Sequence, residues 1–129
     1  MSRGCDFVII QGEEAVTIGD TDPIWETTFR IQGHPRPGQA FLILNLRHLT
    51  YADVPVLINE QEIGVIYHHE NWQVFQDHWF TQMISIGGGI LRSGENTIQV
   101  EAARLPPDPT SDNEYDDLNL KDVICFYKY

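Results

Sequence analysis

Residues 66–79, IYHHENWQVFQDHW, gather three histidines, two tryptophans and several amide or acidic groups. Such a set suits metal ligation, acid–base work, or stacking of flat rings on the apolar C–H faces of sugars, whose hydroxyls then need amide, acid or imidazole partners. Zinc is poorly served. His68 and His69 are adjacent, and an extended chain sends neighbouring side chains to opposite faces. His78 lies beyond a loop, and neither cysteine is near in sequence. Catalysis fares no better: there is no Gly-x-Ser-x-Gly elbow, and GGGILRSG (87–94) lacks the phosphate-loop lysine and a strand–loop–helix setting. Among 19 carboxylates some pair is always close, so no glycosidase dyad can be read from them. The chain therefore reads as a non-enzyme. Stacking remains, with Tyr67, His69, Asn71, Trp72 and Trp79 as candidate ligand-binding residues and Gln73 beside them. Trp25, Tyr51 and Tyr115 are further rings that loops could bring to the same rim. A second reading stays open, in which Trp72 and Trp79 plug the end of the fold; for either ring taken singly that is the commoner use of a tryptophan.

The bulk numbers narrow the partners. The chain has 129 residues, enough for one domain (1–129) with its own core. Eight cations against 19 acids give a net charge of −11. That field repels phosphate backbones and anionic lipid, leaving a carbohydrate or a protein as the expected partner, with self-association open. The acids crowd residues 1–26 and 101–122. If the chain ends meet, Asp20, Asp22 and Glu26 could join Asp116 or Asp117 around a structural calcium, but the spacing matches no calcium loop, and a solvated acidic surface is the preferred reading. No other cofactor is expected. The apolar run in MSRGCDFVII is too short for a signal peptide, so the sequence predicts a cytoplasmic chain. In that compartment Cys5 and Cys125 are expected as free thiols, with a disulfide as the alternative should the first and last strands be neighbours.

The elements that must position these residues are strands. No stretch repeats apolar residues at helical spacing, whereas short alternating or apolar runs recur between Gly, Pro, Asn and Asp. FVII and AVTIG read as strands around the turn QGEE, followed by WETTFRI. AFLILNLRHL is the strongest core strand, with Leu42, Leu44 and Leu46 on one face and Phe41, Ile43, Asn45 and Arg47 on the other. VPVLI and EIGVIY flank NEQ as a hairpin; WFTQMISI and NTIQVEA follow, and a polar loop leads to DVICFYKY. The expected fold class is all-β, an antiparallel β-sandwich or jelly roll of about eight or nine strands. Leu42, Leu44, Leu46, Val56, Ile58, Phe80, Ile84, Ile98 and Val100 should lie between the sheets.

Three segments carry a resemblance. ADVPVLINEQEIG has Asn59 and Gly64 where the hairpin of galactose-binding-like jelly rolls has its asparagine and second glycine, but Glu60 where the turn glycine usually stands. ISIGGGILRSGENTIQVEA is similar to that family's GEN turn and following strand, and YDDLNLKDVICFY to its closing Tyr-Asp segment. The resemblance implies a non-catalytic carbohydrate- or small-ligand-binding module. The alternative is an intracellular assembly module using the same sandwich, since Phe41, Ile43, Trp79 and Met83 fall on outward strand faces.

Overall fold

The computed structural model describes residues 4–69 and 78–129. Nine strands run through them: β1 (Cys5–Gln11), β2 (Val16–Ile18), β3 (Ile24–Ile31), β4 (Ala40–Arg47), β5 (Val54–Ile58), β6 (Gln61–Ile66), β7 (Phe80–Ile86), β8 (Gly94–Glu101) and β9 (Leu118–Lys128). One sheet is ordered β1-β9-β4-β7 with β2 also on β9, the other β3-β8-β5-β6, and every pairing is antiparallel. The period-two alternation of each strand turns one face inward. Leu42, Leu44, Leu46, Val56, Ile58, Ile84, Ile98 and Val100 are buried as expected. Phe80 is not: at the outer edge of its sheet it is half-buried, with the His69 ring stacked on it.

The last strand organises the larger sheet. β4 pairs with β9 along nearly its whole length, while β1 and β2 lie end to end along the opposite edge of β9. FVII and AVTIG therefore do not form a hairpin with each other, because each has β9 as its partner. β9 also begins four residues before the DVICFYKY run, and the reason is a bulge. Asp122 has φ 50°, and two residues, Asp122 and Val123, stand where β4 offers only Leu44. The extra residue reverses the alternation: Leu118 and Leu120 face the core before it, Val123, Cys125 and Tyr127 after it. The displaced Asp122 N–H is satisfied by the Gly12 carbonyl (2.9 Å), in the gap between β1 and β2.

In the smaller sheet the β5–β6 connection is tighter than NEQ implied. Ile58 pairs with Gln61, leaving a two-residue turn of Asn59 (φ 51°) and Glu60 (φ 69°), the left-handed pair of a type I′ hairpin. Gly64 allows the sheets to close: a Cβ there would sit 2.8 Å from Ile84 Cγ2. At the open edges, Gln82 of β7 donates to the Val65 carbonyl (2.6 Å) and accepts from the Tyr67 N–H (3.0 Å), strapping β7 to the end of β6.

Candidate functional site

Trp79 immediately precedes β7. Phe80 and Ile84 turn toward the core, so Trp79 turns the other way, onto the outer face of the five-stranded sheet. Arg47 of β4 and Lys121 of β9 rise from the same face, their charged ends 4.5 and 4.3 Å from the indole ring centroid. Because β4 separates β9 from β7, the indole and Lys121 meet above β4, and the ring lies over the sheet rather than closing its end. Each cation–ring contact at such a half-open site contributes about 0.5–1 kcal/mol. Trp79 is half-buried, its ring under two cations on the outer face of the sheet.

Polar pairs running across the strands extend beside it. Asn119 Nδ2 donates to Thr17 Oγ1 (2.8 Å), and Arg47 Nε donates to Asn119 Oδ1 (3.1 Å). Thr81 Oγ1 donates to Asn45 Oδ1 (2.6 Å), and Asn45 Nδ2 donates to Asp122 Oδ2 (3.1 Å). The result is a flat indole bordered by two amides, two hydroxyls, a carboxylate and two cations. Within a chain of net charge −11 it is a local positive spot. The alternation of residues 40–47 already turned Asn45 and Arg47 outward. Lys121 and Asn119 gave no such signal, because the bulge hides their phase.

The remaining candidates fall as follows. Tyr67 is exposed, and its backbone is tied to Gln82 of β7. His69 donates its N–H to the Leu49 carbonyl (2.8 Å) and lies flat on Phe80, with ring centroids 3.7 Å apart and planes inclined by 11°. Asn71 and Trp72, like Gln73, lie outside the described residues. His68 braces the start of the segment, its backbone N–H and Nδ1 both on Asp53 Oδ1 at 3.0 and 2.5 Å. Those bonds, the backbone one foremost, hold the Asp53 carboxyl below the usual carboxylate range. Of the other rings, Trp25 packs against the core from β3, Tyr51 is exposed, and Tyr115 stacks under Arg104.

The acids near the two chain ends do meet, but they hold backbone. Asp20 Oδ1 accepts from the N–H groups of Glu114 and Tyr115 (2.8 and 2.9 Å), and Asp117 Oδ1 accepts from the N–H of Asp20 (2.8 Å). Buried Asp116 accepts from the N–H groups of Thr50 and Tyr51 (2.9 and 2.8 Å). Glu26 is elsewhere, on the outer face of β3 beside Thr97 and Gln99. Among the described residues, no group of three or more His, Cys, Asp or Glu is placed to hold a metal ion.

No protein-family model matches the chain, and no curated protein does. Solved structures share its shape. A family 35 carbohydrate binding module from Clostridium thermocellum is similar at TM-score 0.51 and 18% identity, over 94% of this chain and 97% of that one. An exo-beta-1,3-galactanase from Phanerochaete chrysosporium is similar at 0.52 and 20%, over 98% of this chain. Dimeric latent PorU from Porphyromonas gingivalis is similar at 0.54 and 8%, over 99% of it. The chain spans 27% of that galactanase and 13% of PorU. At such identities the likeness is one of fold: the chain is an antiparallel β-sandwich with a jelly-roll fold, as expected.

Proposed function

We propose that the chain is a non-catalytic carbohydrate-binding module that stacks a sugar ring on Trp79. The observation that carries this reading is the outward indole beside Asn45, Asn119, Asp122, Arg47 and Lys121. A pyranose offers an apolar face to an aromatic ring and a fringe of hydroxyls to amides, carboxylates and cations, and this surface supplies both kinds of partner. Arg47 is held by Asn119 and frames the site, while Lys121, on a flexible four-carbon stem, swings off the ring to meet a hydroxyl. The similarly folded carbohydrate binding module supports the ligand class. Tyr67, exposed and tied to β7, and His69, stacked on Phe80, lie toward the other side of that strand and are candidates for a second subsite, while Asn71 and Trp72 join them as candidates by sequence alone.

A glycan array on the intact protein, followed by titration of the best glycan, tests this. Trp79→Ala should weaken binding at least fivefold, about 1 kcal/mol or more, while two lost cation–ring contacts lower stability by only about 1–2 kcal/mol. A folded variant that binds as well as the parent, or a parent that binds no glycan, would sink the proposal.

A further inference from the structure

Away from Trp79, the same face of the five-stranded sheet turns apolar. Phe7, Phe126 and Phe41 stand in register across β1, β9 and β4, their rings 5.9 and 5.0 Å apart in sequence. The next outward row is Ile9, Ile124, Ile43 and Met83, in register across β1, β9, β4 and β7. The inward partners of these rows, among them Leu42, Ile84 and Cys125, fill the core, and the seven side chains stand outside it. Phe7 is 55% exposed, Ile9 58% and Met83 63%. A hollow of about 410 Å³, bounded by Cys5, Phe7, Phe41, Phe126 and Lys128, opens at the end of the Phe row.

We propose that this face is covered by a second copy of the chain. With large side chains presenting roughly 200 Å² each, the two rows leave on the order of 500 Å² of apolar surface open. That is at the upper end for a monomer, where the largest patch runs to about 300–600 Å². Two such faces apposed bury about 1,000 Å², the size at which a specific, if weak, interface begins. The two rows are also self-complementary. A two-fold axis lying between the apposed sheets, along the rows, sets the Phe row of one copy on the Ile and Met row of the other at the usual sheet spacing of about 10 Å. The same operation carries Lys128, one row beyond the Phe row, over the Asn45 row, where the bulge sets the Asp122 carboxylate beside Lys121. The net charge of −11 keeps the pairing weak, since two copies of so acidic a chain repel each other.

Sedimentation equilibrium of the full chain over a range from about 5 to 500 µM tests the pairing, with an expected dissociation constant on the order of tens of micromolar. Ile9→Lys and Met83→Lys, both at exposed positions and confirmed folded by thermal melts, should each weaken it at least tenfold. A monomer across the whole range, whether the face then serves another protein or stays bare, overturns the proposal. So does a dimer that both variants leave intact.

Discussion

Asn96 is almost wholly enclosed and spends every polar atom on backbone or on another asparagine. Its Nδ2 donates to the carbonyls of Arg92 and Gly94, while its Oδ1 accepts from the Arg92 N–H and from Asn59 Nδ2, at 2.8–3.1 Å. Asn59 in turn reaches the Ile90 carbonyl and the Thr97 N–H. The asparagines of NEQ and GEN, which carried much of the family resemblance, thus bind each other. Asp116, the third signature residue, pins residues 50 and 51. All three fasten loops, which is why they announce the fold and say nothing about a ligand. Asn96→Ala should cost on the order of 2–4 kcal/mol in urea melts, because buried donors and an acceptor are left unmatched. A loss within experimental error would show that the network is dispensable. The binding residues were harder to read. Trp79 stood out by type, but its partners Arg47 and Lys121 lie 32 and 42 residues away in sequence, and only strand register brings them to it.

Among the elements, the β5–β6 hairpin shows a local rule bent by its context. A type I′ turn wants glycine at its second position, where Glu60 stands at φ 69°. A side chain in the left-handed region costs about 1–2 kcal/mol, part of which glycine gives back as unfolded-state entropy. Glu60→Gly should therefore raise the stability by up to ~1 kcal/mol, read as a higher urea midpoint at unchanged slope. A lower midpoint would mean that the Glu60 side chain makes a compensating interaction. Strand existence and inward phase were legible in β3 to β8, where alternation is clean. At β9 the closing strand was legible but its earlier start and bulge were not, because a period-two rule cannot see a one-residue insertion. The two strands around QGEE were legible too, but not that both pair with β9.

For the whole molecule, the two-sheet architecture follows from alternation alone, whereas the use of each outer face depends on how strands are ordered. Cysteine placement illustrates this. Cys5 pairs opposite Lys128 on the outer face, and Cys125 opposite Val8 on the inner one, so neighbouring strands still keep the two thiols apart, and both are free. Burial pushes the Cys125 thiol up to about 12. Between its ordinary value near 9.0 and about 12, the unfolded chain gives up a proton that the folded chain keeps, so stability should fall as pH rises through that window. Burial also raises Tyr127, so Cys125→Val should reduce the slope without abolishing it. At neutral pH a chromogenic thiol reagent should find Cys5 alone in the folded protein and both thiols in denaturant; two fast thiols in the folded state would contradict the burial. The position of β9 carries a consequence for synthesis. The four-stranded sheet is complete in the chain once residue 101 has been made, but β1 and β2 have no partner until residues 118–128 follow, and β4 until then has only β7. On the ribosome half of the sandwich can pair early, while its other half stays open, with its hydrophobic strands in need of shielding, until the last strand emerges.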